Sequence, residues 1–327
     1  MNGLTVISAP AALKSGEGTG YRRWRPTWWR GRSAVIGLPY AWLLIFFLAP
    51  FLIVLNYSFS DMGPIIAGPL LEMKEGVVQL TLKYANYVFL FSDDLYVLAY
   101  LSSLKYAALT TICCLIIGYP FAYFMARAKA SAQPVLLMLV MLPFWTSFLL
   151  RVYAWKGLLS EGGWASHLLG WLGLDRLLVA LGLINAPGQY LYTSFSLMVG
   201  MTYTYLPFMI LPLYSNLAKM DLRLLEAAAD LGATPWKAFW KVTVPLSKAG
   251  IIAGSMLVFI PCIGEYVTPE MLGGSGVLMI GRVLWDEFFS NNDWTMAATV
   301  AVVLVLLIVV PLAIYNKYEA EAQEQAK

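Results

Sequence analysis

Six long apolar segments constrain this 327-residue chain more than any other feature of its sequence. Each has about 20 residues or more, the length that a helix needs to cross the hydrocarbon core of a bilayer. The chain is 60% hydrophobic and only 13% charged, whereas soluble domains are about 25% charged. We therefore expect an all-α, polytopic membrane protein with six transmembrane helices, at 34–57, 106–126, 134–153, 192–217, 249–268 and 295–315.

The lysines and arginines are spread unevenly over the segments that connect these helices. Most of the 22 fall on one set of alternate segments, and such basic segments face the cytoplasm. Both termini are then cytoplasmic, with a tail at 1–33, a transmembrane region at 34–316 that includes a cytoplasmic loop at 218–248, and a tail at 317–327. Arginines and tryptophans alternate from Arg22 to Arg32, which beside a predicted span favours an anchor in the lipid bilayer surface over a nucleic-acid site.

Every predicted span contains proline. Proline removes a backbone donor and leaves a carbonyl without its helical partner, which lipid cannot satisfy. Such helices need protein neighbours or a hydrated cavity, so the pattern favours a transporter over a simple anchor. The prolines are Pro39, Pro50, Pro120, Pro143, Pro207, Pro212, Pro261 and Pro311.

The loop at 218–248 has the pattern of a helix, a turn and a second helix. Asp221 is a suitable N-cap, and strong helix formers continue to Leu231. Gly232 ends that helix and Pro235 begins the next one. Aromatic residues then recur at helical spacing and form an apolar face that needs a partner. Another protein or the ends of this chain's own spans would serve, and the residues of that face are Trp236, Phe239 and Trp240.

The same loop resembles the EAA loop of ABC importer permeases. Glu226, Ala227 and Ala228 are followed at the family's spacing by Gly232 and then by Val242-x-Val244-Pro245, with valine in two positions where the family has isoleucine and leucine. The resemblance implies the type I ABC importer permease fold, and it implies that this loop docks into a groove on a separate ATP-hydrolysing subunit. The residues expected to couple the two subunits are Glu226, Ala227, Ala228, Gly232, Pro235, Trp236, Phe239 and Pro245.

The chain has no phosphate-binding Gly-x4-Gly-Lys-Ser/Thr loop, and no Gly-Lys pair anywhere. We therefore expect it to be a non-catalytic transport subunit with no cofactor and no metal site of its own. The resemblance implies that partner subunits bind ATP and Mg. It also implies four partners, namely a second permease, two ATP-binding subunits and a periplasmic solute-binding protein.

Two further stretches, at 142–155 and 260–274, resemble the spermidine/putrescine branch of the family, and the whole resembles the first of the two permeases in those systems. Polyamines are the implied cargo. Permeases for iron and other small solutes share parts of these patterns, so such a solute is the alternative. An ion-coupled secondary transporter that acts alone is a less favoured alternative, because such proteins usually show inverted repeats or several ionisable residues at mid-membrane.

Glu265 is the only carboxylate that the pattern places within a span, near the outer end of the fifth. An ionisable group at that depth is a candidate for contact with the solute, and aromatic faces near it would attract ammonium groups. Trp145, Tyr153 and Tyr266 are the candidate aromatic residues, although each also suits the aromatic belt at the membrane surface. The alternative for Glu265 is a structural ion pair with Arg151.

Overall fold

The computed structural model describes residues 28–60, 71–74, 77–80, 83–274 and 276–325. Almost all of them are helical, and one antiparallel hairpin is the exception, which the sequence did not predict. The helices are α1 (Trp28–Leu43), α2 (Ala49–Ser58), α3 (Ala85–Ser92), α4 (Asp94–Arg127), α5 (Gln133–Met141), α6 (Phe148–Leu159), α7 (Trp164–Trp171), α8 (Asp175–Ala180), α9 (Ser194–Leu217), α10 (Arg223–Asp230), α11 (Pro235–Ala238), α12 (Val244–Leu246), α13 (Lys248–Ile263), α14 (Ile280–Trp285) and α15 (Trp294–Gln325). The strands are β1 (Leu71–Lys74) and β2 (Val77–Leu80).

Short segments of tighter or wider helix connect several of these elements. Leu142–Trp145 is a 3₁₀ turn, and Leu44–Leu48, Phe239–Thr243, Pro269–Gly273 and Asp286–Ser290 are π-helical. The chain divides into two compact units between Phe51 and Leu52. The described part of the first unit is helical, and the second unit contains all of the elements discussed below.

Helices α4, α9 and α13 pack together as the centre of the second unit. Met209 on α9 is fully buried there. A Cβ atom added to Gly118 on α4 would lie 3.1 Å from the Met209 side chain, and one added to Gly254 on α13 would lie 2.8 Å from its sulfur. The two glycines therefore permit the close approach of three apolar helices, which is how small residues act between membrane helices.

Three helices are long and apolar enough to cross a membrane, namely Val35–Ser58, α4 and α9. Two bent pairs also meet that criterion when each pair counts as one span, and the apolar part of α15, Trp294–Val309, is shorter. All six predicted segments thus fall largely on helices. The predicted tail at 1–33 lies mostly outside the described residues, and the backbone remains helical to Gln325, beyond the predicted end of the sixth span.

The third predicted span, 134–153, is not one continuous helix. Its two halves, Gln133–Trp145 and Phe148–Leu159, meet at an angle of 88°. Thr146 between them is extended, and its hydroxyl donates to the carbonyl of Pro143 at 2.8 Å. Local side-chain bonds of this kind offer the backbone an alternative to the helix.

The fifth predicted span, 249–268, ends too late. The helix stops at Ile263, and Gly264 and Glu265 follow as a break before the π-helical Pro269–Gly273. The Glu265 carboxylate accepts the backbone N–H of Thr268 at 3.3 Å. That contact caps a new helical turn instead of extending α13. Glu265 is therefore in the break and not within a helix.

Residues within 155–195 form a small hydrophobic cluster of their own around α7 and α8. Leu159, Leu178, Ile184 and Tyr190 are its buried side chains. The Tyr190 hydroxyl donates to the Asp175 carboxylate. Burial, with the nearby Asp175 charge, raises the pKa of Tyr190 to about 12, so this hydroxyl stays a donor at neutral pH.

Candidate coupling loop and solute path

The loop between α9 and α13 is a helix, a turn and a second helix, as predicted. The Asp221 carboxylate accepts the backbone N–H of Arg223 at 3.0 Å at the start of α10. Gly232 has a φ of +78°, and its N–H donates to the carbonyl of Ala229 at 2.8 Å. Pro235 is the first residue of α11, and the Thr234 hydroxyl caps that helix. A positive φ is costly for any residue with a Cβ, which is why a glycine ends α10 here.

The aromatic face of this loop divides between two environments. Phe239 packs edge-on against Tyr119 and Tyr123 of α4, with ring centroids 5.5 and 6.0 Å away. Trp236 and Trp240 instead remain 70% and 53% exposed. This chain's own helix α4 therefore covers Phe239, and the chain leaves the two tryptophans uncovered.

The remaining coupling candidates lie on the same open surface. Glu226, Ala227 and Pro245 are exposed, and Ala228 is half-buried. The same loop carries large exposed apolar side chains, of which Leu231 is the most exposed, at 88%. An apolar surface of this kind on a polar connecting loop is typical of a docking site for another protein.

Tyr119 attaches this loop to the helical centre of the chain. Its ring contacts Phe239, and its hydroxyl forms a hydrogen bond of 2.8 Å with Ser247, which is fully buried between α12 and α13. One side chain of α4 thus holds both the loop and the start of α13. No pattern in the sequence indicated this contact, because Phe239 and Ser247 lie more than a hundred residues from Tyr119.

Glu265 accepts three hydrogen bonds in the break after α13. The Tyr205 hydroxyl on α9 donates to its Oε2 at 2.5 Å. The backbone N–H and the hydroxyl of Thr268 both donate to its Oε1 at 3.3 Å. The carboxylate is half-buried, whereas Tyr205 and Thr268 are buried. These three bonds hold both oxygens of the carboxylate in place.

Arg151 and Glu265 form no ion pair within the described part of the chain. The Arg151 guanidinium instead lies 5.7 Å from the ring centroids of both Phe144 and Phe148. Phe144 contacts Phe208, and Phe208 contacts Tyr205, so a row of rings connects the arginine to the tyrosine that binds Glu265. The alternative of a structural ion pair between Arg151 and Glu265 is therefore wrong for this conformation.

The three candidate aromatic residues have different surroundings. Tyr266 stacks on Trp285 with centroids 4.5 Å apart and planes within 7° of each other, and Trp285 contacts Phe289. Trp145 and Tyr153 are 73% and 53% exposed. Neither of these two is among the described residues that form hydrogen bonds with Glu265, whereas Tyr266 follows Glu265 directly in the chain.

Metal binding has no candidate site in the ranges that the structure describes, where no three His, Cys, Asp or Glu side chains form a group that would hold an ion. Two carboxylates that follow the break, Glu270 and Asp286, lie near an arginine. Arg282 binds Glu270, with Nε 2.7 Å from Oε2, and approaches Asp286 at 4.0 Å.

Comparisons with known proteins place this arrangement in a family. Residues 114–317 match the model of the family "Binding-protein-dependent transport system inner membrane component". The chain is 37% identical over 288 residues to the spermidine/putrescine transport system permease protein PotB of Haemophilus influenzae, covering 88% of this chain and 93% of that protein. It is 35% identical over 274 residues to PotB of Escherichia coli, covering 84% and 92%.

A solved structure has the same fold at lower identity. A bacterial alginate ABC transporter, crystallised with an alginate-bound periplasmic protein, contains a chain that matches with a TM-score of 0.63 and 16% identity, covering 90% of this chain and 96% of that one. These findings confirm the resemblance that the loop motif first indicated. The chain belongs to the binding-protein-dependent transport system inner membrane components, which are the non-catalytic permease subunits of type I ABC importers.

Proposed function

We propose that this chain is the first of two permease subunits in an ATP-driven importer that carries polyamines, putrescine or spermidine, across the inner membrane. The observation that carries the proposal is the 37% identity to a spermidine/putrescine permease over 88% of the chain. The charge at the break is consistent with it, because the donors to Glu265 within the described part of the chain are all neutral. A carboxylate without a fixed cation suits a mobile ammonium group.

The proposed topology has six transmembrane helices and places both termini in the cytoplasm. Three spans correspond to the long helices, and the other three to the bent pair Gln133–Trp145 and Phe148–Leu159, to α13 and to the apolar part of α15. The loop at 218–248 is then cytoplasmic, while α7, α8 and the break that contains Glu265 lie towards the periplasm. The domain limits 1–33, 34–316 and 317–327 belong to this proposal.

The proposed partners follow from this topology and from the family. The exposed face around Glu226, Leu231 and Trp236 docks on one of two ATP-binding subunits, which hold ATP and Mg, so this chain needs no cofactor. A second permease completes the pathway through the membrane, and a periplasmic binding protein delivers the polyamine.

Coupling between ATP and transport would pass through Tyr119. Movement of the ATP-binding subunit displaces α10 and α11, and Phe239 transmits that displacement to the Tyr119 ring on α4. Ser247 transmits it to the start of α13 through the Tyr119 hydroxyl. Packed helices with a few discrete arrangements respond to such a push as rigid bodies. The break at Glu265, at the far end of α13, would then change its access from one side of the membrane to the other.

Uptake measurements on the complete system test the proposal. Cells that express both permeases, the ATP-binding subunit and the binding protein should accumulate radiolabelled putrescine or spermidine, and unlabelled polyamine should compete while iron salts should not. Accumulation of labelled iron without polyamine uptake would overturn the assignment of cargo. Replacement of Glu226 by Ala should abolish uptake and weaken retention of the ATP-binding subunit, while the chain still inserts in the membrane.

A further inference from the structure

The hydroxyl of Tyr205 makes the shortest hydrogen bond to Glu265. Tyr205 lies on α9, is only 7% exposed, and donates to Glu265 Oε2 at 2.5 Å. That distance is at the short end of the range for an O–H donor and an ionised carboxylate. Tyr205 therefore fixes one of the two oxygens of Glu265 from a neighbouring helix.

The backbone of Glu265 is fixed as well. Gly281, at the start of α14, lies so close that an added Cβ atom would be 2.4 Å from the carbonyl oxygen of Gly264 and 2.6 Å from that of Glu265. No side chain fits between these two segments. Glu265 thus has its backbone held by α14, its Oε1 by Thr268 and its Oε2 by Tyr205.

All of these donors are neutral. The nearby cation Arg282 is bound to Glu270, and Arg151 lies over the rings of Phe144 and Phe148. An ionised carboxylate has about four acceptor positions, and three are filled here. Neutral donors orient the group without cancelling its charge, whereas a fixed lysine or arginine would compete with an incoming cation.

We infer that Tyr205 is a positioning residue, which aims the open acceptor position of Glu265 at an ammonium group of the cargo. This inference rests on the proposed function, in which Glu265 contacts a polyamine. A second residue, Thr268, does the same from the other oxygen with longer bonds of 3.3 Å. Loss of the Tyr205 hydroxyl leaves the carboxylate held only by the longer bonds from Thr268, so it is oriented less firmly and cargo is captured less often in each ATP cycle.

The test compares Tyr205→Phe with Tyr203→Phe in the complete importer, reconstituted in vesicles with saturating binding protein and putrescine. Tyr203 lies two residues away on the same helix and packs on Trp155, and its hydroxyl has no hydrogen bond among the described residues. The ratio of putrescine transported to ATP hydrolysed is measured. Tyr205→Phe should lower that ratio about tenfold, the low end for a hydrogen bond to a charged group, and Tyr203→Phe should leave it within about twofold.

A purely structural role for Tyr205 predicts a different result. Transport and hydrolysis would then fall together, with their ratio unchanged, and that outcome would overturn the inference. Thr268 supplies a second pair of variants, because Thr268→Ser retains the donor and Thr268→Val removes it at nearly constant shape. The serine variant should keep the wild-type ratio and the valine variant should lower it.

A double-mutant comparison separates this inference from the function on which it rests. Glu265→Gln should lower the ratio, and adding Tyr205→Phe to it should lower it no further, since nothing remains to be positioned. Multiplied losses would contradict positioning. If Glu265→Gln transports like the wild type, the contact between Glu265 and cargo is wrong. If Glu265→Gln is impaired but Tyr205→Phe is not, only the role of Tyr205 is wrong.

Discussion

The coupling loop and the break at Glu265 are built in opposite ways. In the loop, large apolar side chains are exposed to the surroundings. Trp236 and Leu231 are 70% and 88% exposed. At the break, Glu265 points inward and receives three hydrogen bonds from its own chain. A surface made for another protein stays unfinished until that protein binds, because its apolar area needs covering. In the proposed function the break binds an ammonium group of the cargo, and such a site works best when its donors are already in place.

The largest effect is expected from strain in the loop. Gly232→Val places a β-branched residue at a φ of +78°, which costs about 1–3 kcal/mol and shifts α11 relative to α10. Initial polyamine uptake, normalised to the amount of the chain in the membrane, should fall more than tenfold, as for loss of an interface hot spot worth about 2 kcal/mol. Gly182→Val is the matched control, with a φ of +66° and open space around the added atoms. Equal losses in both variants would mean that strain alone, and not coupling, limits uptake.

The second prediction separates the two halves of the aromatic face. Trp236→Ala removes an exposed ring, so it should weaken binding of the ATP-binding subunit about tenfold or more without lowering the melting temperature of the isolated chain. Phe239→Ala removes a ring that packs on Tyr119 and Tyr123. It should therefore lower both the affinity for the ATP-binding subunit and the melting temperature of the isolated chain. Affinity from titration of purified partners and thermal unfolding in detergent measure the two effects. The division of the face is wrong if Trp236→Ala destabilises the isolated chain as much as Phe239→Ala does.

A third prediction tests how tightly the break is packed. Gly281→Ala should destabilise the chain by about 1–3 kcal/mol, because an overpacked methyl group must push α14 off the carbonyls of Gly264 and Glu265. Gly157→Ala on α6 has nothing within 4 Å of the added carbon, and there alanine should stabilise the helix by up to about 1 kcal/mol. Apparent melting temperatures in one detergent compare the two. If Gly281→Ala left the melting temperature unchanged, the backbone around Glu265 would be loosely packed, and the break would not be a preorganised site.

The smallest effect is expected five residues beyond Glu265. Glu270→Gln removes one ion pair between half-exposed side chains, which is worth about 0–1 kcal/mol, and Arg282 retains Asp286 nearby. Polyamine uptake should remain within about twofold of the wild type, given that small free energy. A loss as large as that from Glu265→Gln would move the solute contact from the break to Glu270.

The loop was predictable because its structure depends on neighbours in sequence. Asp221, Gly232 and Pro235 act within one or two turns of their own positions, so their residue types decide where α10 ends and α11 begins. The motif at Glu226 gave the family from the same short stretch. Nothing local, however, determined that Phe239 packs inward while Trp236 does not.

The break was only partly predictable. The sequence identified Glu265 but placed it inside a continuous helix, because apolar residues continue on both sides of it. Its partner Tyr205 is sixty residues away, and several tyrosines on α9 look equivalent from spacing alone. The alternative of an ion pair with Arg151 was wrong for the same reason. Proximity across helices is a property of packing, and periodicity reports only which face is apolar.

Transport by vesicles with and without the partner subunits tests the central claim most directly. The claim is that this chain moves solute only when a separate ATP-driven subunit acts on its exposed loop. Vesicles that contain the complete importer, binding protein and ATP should accumulate putrescine against a gradient, and vesicles with this chain alone should not. Accumulation by the chain alone, driven by an ion gradient, would contradict the account.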